Sequence, residues 1–133
     1  MNNAANTHNL KTGDHLSYSW GYDQTNIDYF IVTRTTAKSV WIVPVDSMVV
    51  ESEVSFMTNV VRPTFKRKTE TIIDWTKTDP ETGGGLRIGE REVPEVRKSP
   101  RFSDYDGKWF LNMDHGIACK VDAFAEHRES HYA

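Results

Sequence analysis

The sequence predicts a mostly β protein: one small domain folded as an antiparallel barrel or curled sheet with a long flexible loop. Short runs of β-branched and aromatic residues recur along the 133 residues, and turn residues separate them at close spacing. No stretch shows the 3.6-residue apolar period of a long amphipathic helix. This pattern is typical of small barrels of the SH3-like or Greek-key type.

Three strands are expected in the first third of the chain, at residues 15–20, 27–35 and 39–45. The first alternates apolar and polar side chains with period two, which indicates a half-buried strand. The second is apolar on both faces and should be central. Pro44 in the third lacks a ladder donor, which predicts an edge or a bulge there.

The secondary structure of residues 48–124 is less clearly indicated by the sequence than that of the first three strands. Residues 48–57 suit either a strand or a short helix, and residues 69–75 suit a strand. Three consecutive glycines and three prolines lie within residues 77–100, which predicts a long mobile loop. A hairpin that turns at residues 114–116 closes the chain. The domain is thus expected to span residues 12–124.

Both termini are expected to lie outside this domain. Residues 1–11 form a disordered leader with neither the basic nor the apolar part of a signal peptide. Residues 125–133 form a polar tail, frayed or helical for one turn. Cys119 cannot close an intrachain disulfide alone, which suits a reducing compartment. We therefore expect a cytoplasmic protein.

Composition excludes some classes of protein and leaves others open. No apolar run approaches the roughly 20 residues of a membrane span. The net charge of −3 hides a middle segment, residues 62–101, with ten basic and seven acidic side chains. That excess is far smaller than the one that by itself indicates nucleic-acid binding.

The most distinctive stretch is SWGYDQTNIDYF at residues 19–30. It is too polar for a core and too aromatic for a linker, and its flat rings and polar groups suit recognition of a partner. A structural turn is the alternative, since Asp and Asn side chains bond their own backbone. The predicted partner-binding residues are Trp20, Tyr22, Asp23, Gln24, Asn26 and Asp28.

This stretch, followed by TTAKSVW at residues 35–41, resembles a set of small uncharacterised bacterial proteins carried on phages and plasmids. The match covers about the first third of the chain. The resemblance implies an intracellular, mobile-element setting in a bacterial host and no particular catalytic activity.

A second candidate surface is a basic cluster with one aromatic residue inside it. Such a cluster attracts phosphates and loses affinity as salt rises. Interleaved glutamates make an ordinary solvated face the alternative. The cluster, a candidate nucleic-acid-binding site, consists of Arg62, Phe65, Lys66, Arg67 and Lys68.

No catalytic or cofactor signature is present. A small nucleotide- or phosphoester-acting enzyme would need the fold to bring Asp23, Asp28 and His115 together. His127 and His131 stand four residues apart, but their neighbours lack the pattern of a helical zinc site. We therefore expect no cofactor and no metal.

The sequence favours a non-enzymatic binding module with a macromolecular partner, protein or nucleic acid. An inhibitor of a host defence protein and the small enzyme remain alternatives. No membrane association is expected. The edge predicted at Pro44 leaves a homodimer open.

Overall fold

The computed structural model describes residues 8–21, 25–55 and 58–130, with the backbone alone at residues 53 and 55. Within these ranges the fold has eleven strands and no helix, which confirms the predicted all-β curled sheet. The strands are β1 (His15–Trp20), β2 (Asn26–Thr35), β3 (Val40–Ser55), β4 (Thr58–Arg67), β5 (Thr69–Thr78), β6 (Gly85–Glu92), β7 (Val96–Lys98), β8 (Arg101–Ser103), β9 (Lys108–Met113), β10 (Gly116–Val121) and β11 (His127–Ser130).

The main sheet is antiparallel, in the order β11-β4-β3-β2-β1-β10-β9-β8. β7 pairs with the first residues of β3, on the edge that β4 occupies further along. Only Ser99 and Pro100 separate β7 from β8, which pairs with β9 at the far end of the sheet. Residues 96–103 therefore pair with β3 through β7 and with β9 through β8. Because β3 and β9 are far apart in the strand order, the sheet must curl strongly to bring them together.

The inner face of this curl holds the larger apolar core. Period-two alternation directs every second residue of β1, β2, β3, β9 and β10 inward. Its buried members are Leu10, Leu16, Tyr18, Val32, Val40, Ile42, Leu111 and Ala118, with Phe30 and Met113 packed against them.

The expected disordered leader is wrong for its last residues. Leu10 is 1% exposed and His8 is 4% exposed. His8 Nε2 donates to the Thr36 carbonyl at 2.8 Å, and its Nδ1 accepts from the Leu10 amide at 3.2 Å. The segment before β1 thus seals the core, while residues 1–7 lie outside the described ranges.

A second core lies on the other face of β2 and consists of Ile27, Tyr29, Val45 and Val61. β2 is apolar on both faces because β4 and β11 fold over its outer side. The Ser130 amide donates to the Thr25 carbonyl at 3.0 Å, and Glu129 accepts from the Ile27 amide at 2.9 Å. The predicted central position of β2 is confirmed, and the expected frayed tail is wrong for residues 127–130.

β3 is longer than predicted, because the ambiguous run after Met48 continues it as a strand. Pro44 pairs with Phe30 of β2. On the other edge of β3, the partner changes from β7 at Ile42 to β4 at Val45, and a register shift follows. The predicted irregularity is present, within the strand and not at its end.

The expected long loop over residues 77–100 instead contains the end of β5 and the whole of β6 and β7. β5 and β6 form a two-stranded antiparallel ribbon apart from the main sheet. The glycine run forms its turn, in which Gly83 has a φ of +77° and donates its amide to the Asp79 carbonyl at 2.8 Å. The glycines and prolines predicted a long mobile loop, but the glycine run instead forms a tight turn between two strands.

Candidate functional site at the mouth of the curled sheet

The described residues leave an opening in the curled sheet at the end where β1 and β9 finish and where β2 and β7 begin. A cleft of about 400 Å³ lies at this opening, which we call the mouth. Five different strands and the β9–β10 turn contribute to it. Its lining residues are Tyr18, Asp28, Phe30, Ile42, Val96, Lys98, Met113 and Asp114.

The floor of the mouth is formed by the part of the larger core that lies nearest this opening. Phe30, Ile42 and Met113 belong both to that core and to the cleft wall. Asp28 precedes Phe30 by two residues on β2, so it occupies the next inward position, nearest the opening. A carboxylate is tolerated there because it is only half-buried and has a hydrogen-bond donor.

That donor is Trp20, whose Nε1 lies 2.8 Å from Asp28 Oδ2. The β1–β2 register places Tyr18 opposite Asp28 and Trp20 opposite Asn26, so all four share the inward face. Trp20 is 37% exposed and stands at the rim. Of the predicted partner-binding residues, Asp28 therefore lines the mouth, Trp20 is hydrogen-bonded to it, and Asn26 is paired with Trp20. Tyr22, Asp23 and Gln24 lie outside the described residues.

The β9–β10 turn forms the facing part of the rim. The His115 amide donates to the Tyr18 hydroxyl at 2.8 Å. A Cβ added at Gly116 would lie 3.3 Å from Tyr18 Cε1, so the turn packs closely on that ring. Asp114 is thereby held at the cleft. This role had no local signal, because Asp114 reads as an ordinary turn residue.

The enzyme hypothesis gains no support from these contacts. Asp28 bonds Trp20, and His115 is held through its backbone. Among the described residues, no group of three or more His, Cys, Asp or Glu side chains could hold a metal ion.

The charges that line the mouth determine which chemical groups of a ligand it can accept. Two carboxylates, Asp28 and Asp114, and one ammonium group, Lys98, line an otherwise mostly apolar cleft. An excess of one negative charge disfavours a phosphate backbone. It suits neutral donors or cationic groups, with Lys98 available to an acceptor.

The predicted basic cluster does not form one regular strand face. Its members on β4 lie where the register with β3 shifts between Val45 and Ser47, and Lys68 follows the end of the strand. Lys66 lies 3.9 Å from Asp46, and Arg67 lies 3.5 Å from Glu92. These acidic neighbours are distant in sequence, so local reading could not anticipate them.

Phe65 of this cluster is 63% exposed, but one side of its ring is occupied. The His15 ring meets it edge-on, with centroids 4.8 Å apart. His15 is buried, and its Nε2 lies 3.0 Å from the Thr64 carbonyl. Phe65 therefore helps to fix β4 over β1 and offers only its other side to a ligand.

Two further features were not predicted. Trp41 stacks against Arg34, whose Cζ is 4.0 Å from the ring centroid, and Arg97 lies 5.8 Å from the same ring. A larger cleft of about 540 Å³ lies near the distant end of β10, beside Trp109 and Cys119. None of the predicted site residues lines that larger cleft, so the mouth is the better candidate.

No family model matches the sequence, and no curated protein or solved structure matches it. Across the described ranges, the chain offers no helix of the length and apolarity needed to cross a membrane. What the protein does must therefore be inferred from the geometry of the mouth.

Proposed function

We propose that the protein is a non-enzymatic binding module that engages a protein partner through the mouth. The observation that carries this proposal is the Trp20–Asp28 pair, held at 2.8 Å on the rim of a cleft with an apolar floor. Fixed aromatic anchors beside apolar pockets are the groups that dominate protein interfaces. The mobile-element setting that we expect from residues 19–41 extends this proposal to a partner in the bacterial cytoplasm, such as a host defence protein.

Each part of the mouth has a distinct role in this proposal. Phe30 and Met113 accept the apolar part of a partner side chain. Asp28 retains acceptor capacity beyond its bond to Trp20, because a carboxylate accepts several hydrogen bonds. The bond fixes both side chains before the partner arrives, which lowers the entropic cost of binding.

The test compares partner capture by immobilised full-length protein and by two mouth variants, Trp20→Ala and Asp28→Asn. We expect both variants to lose the proteins that the wild type captures from a bacterial lysate. Tyr105→Ala is the matched control, because Tyr105 is an aromatic residue that is 99% exposed and outside the mouth. Urea unfolding shows whether each variant is folded. Undiminished capture by folded mouth variants would refute the proposal.

Nucleic-acid binding through β4 is a second candidate. It is favoured by Arg62 and Lys68, which form no ion pair with the described acidic residues, and by the open side of Phe65. Oligonucleotide titrations at low and raised salt test it. Binding that weakens with salt and disappears in a Lys66, Arg67 and Lys68 triple-alanine variant would support this candidate. Equal binding by that variant would reject it.

A further inference from the structure

The β5–β6 ribbon leaves the main sheet, and none of its residues is buried. Backbone bonds hold it only at its base: the Lys68 amide donates to the Pro44 carbonyl at 2.9 Å, and the Val93 amide donates to the Lys68 carbonyl at 3.0 Å. An isolated two-stranded ribbon is at best marginally stable in water. Among the residues that the structure describes, the ribbon therefore lacks the covering layer that such a structure ordinarily requires.

One face of the ribbon carries Ile73 and Trp75, which lie over Gly85 of the facing strand. Arg87 is paired opposite Ile73 on the same face. A Cβ at Gly85 would come within 2.7 Å of Trp75 Cε3, so the indole lies directly over the glycine. Trp75 nevertheless remains 76% exposed, and Ile88 in the adjoining bulge is 58% exposed. Clustered exposed apolar side chains of this kind mark an interaction surface.

Charge changes sign along the ribbon. Residues 74–84 at the tip carry three acidic side chains and one basic side chain. The base, residues 66–70 with 91–92, carries four basic and two acidic side chains. Arg67 and Arg91 pair with Glu92 and Glu70, and Lys66 lies 3.9 Å from Asp46, so Lys68 is the basic side chain left for a second copy. The tip and the base are therefore complementary to each other, with the apolar patch between them.

We infer that the ribbon is a self-association arm, and that two copies of the chain lay their ribbons antiparallel about a twofold axis. In this arrangement the Ile73–Trp75 face meets the same face of the second copy. Each acidic tip then lies on the basic base of the other copy. A twofold interface must be self-complementary in this way. The ten residues of β5 span about 33 Å, enough to reach from one base to the other.

A second copy fits this surface better than nucleic acid does. Beyond the basic residues 66–68 of the base, residues 69–92 carry six acidic and three basic side chains, so a phosphate backbone is repelled along most of the ribbon. The sign change along the ribbon also selects an occupant with the opposite order of charge, which a second antiparallel ribbon supplies.

The test measures the mass of the full chain by light scattering and sedimentation from low to high micromolar concentration. We expect a dimer at the upper end of this range. Trp75→Ala should raise the dimer dissociation constant roughly tenfold or more, because an aromatic residue at the centre of an interface carries much of its affinity. Phe124→Ala is the matched control: Phe124 is 68% exposed, lies outside the ribbon and should leave the dimer unchanged.

A charge exchange tests the antiparallel arrangement itself. Glu81→Lys at the tip and Lys68→Glu at the base should each weaken the dimer. In an equimolar mixture, each heterodimer carries one reversed and one native tip–base contact, so dimer formation should return. A wild type that stays monomeric throughout, a Trp75→Ala variant that dimerises like the wild type, or a mixture no better than its components would overturn the inference.

Discussion

Replacing Tyr29 by Phe removes one hydroxyl from the second core and leaves the ring in place. Tyr29 is 1% exposed; its hydroxyl donates to the Val61 carbonyl at 3.4 Å and lies 2.7 Å from His127 Nδ1. Burial raises the pKa of the Tyr29 phenol, and the charge of Glu129 raises it further, so the hydroxyl keeps its proton. The His127 contact ties β11 to β2 through side chains, and the substitution removes it together with the bond to Val61.

The expected loss follows from the bond and its surroundings. A net hydrogen bond contributes about 0.5–1.5 kcal/mol, and a buried acceptor left without a donor costs about 1–3 kcal/mol. The retained ring creates no large cavity. His127 is only half-buried, so water can partly replace the hydroxyl. We therefore expect Tyr29→Phe to lower the free energy of unfolding by about 1–2 kcal/mol.

Urea unfolding, followed by tryptophan fluorescence, measures this loss. Tyr105→Phe is the control, because that residue is fully exposed and should change stability by less than about 0.5 kcal/mol. His127→Leu, alone and combined with Tyr29→Phe, completes a double-mutant cycle with an expected coupling of about 1 kcal/mol. A Tyr29→Phe variant as stable as the control, or strictly additive effects, would refute the reasoning.

Three further predictions concern titration, packing and reactivity. Burial lowers the pKa of His127, so as pH falls the unfolded chain binds a proton at this imidazole before the folded chain does. The contribution of His127 to the free energy of unfolding is therefore complete above the ordinary pKa of about 6.5 and falls as pH drops below it. Urea midpoints from pH 7.5 to 5 should decrease with pH, and His127→Leu should reduce that slope. Leu111→Ala should cost about 3–5 kcal/mol because Leu111 is fully buried, whereas Ile117→Ala, at a residue 47% exposed, should cost under about 1 kcal/mol in the same assay. Burial, and secondarily the charge of Asp106, raises the pKa of the Cys119 thiol, so a chromogenic disulfide reagent at pH 8 should react more slowly with the folded protein than with the urea-unfolded chain.

Strands that bury one face could be predicted, because burial imposes a pattern on the sequence. β1 alternates visibly, and β2 is apolar on both faces because both are covered. A strand was also predicted at residues 69–75, within β5, whereas β6 and β11 left no such pattern. β11 is held by backbone pairing and by bonds such as Ile27 to Glu129, and these place no apolar requirement on its side chains.

The residues of the mouth likewise fall into those that the sequence could predict and those that it could not. Trp20 and Asp28 could be found because they belong to one continuous, chemically unusual stretch. Lys98 and Asp114 join them only because the sheet curls and β7 and β9 approach the same opening. Proximity of this kind depends on long-range pairing, which no local window of sequence contains.

The pairing of β1 with β10 also constrains how the chain is made. His15 lies opposite Val121, more than one hundred residues later. During synthesis, β1 can pair with β2 early, but its other edge stays open until β10 has left the ribosome. Such distant pairing makes folding slow relative to helical domains of similar size. Until β10 emerges, the growing chain therefore carries an unpaired edge and is exposed to misassociation with other chains.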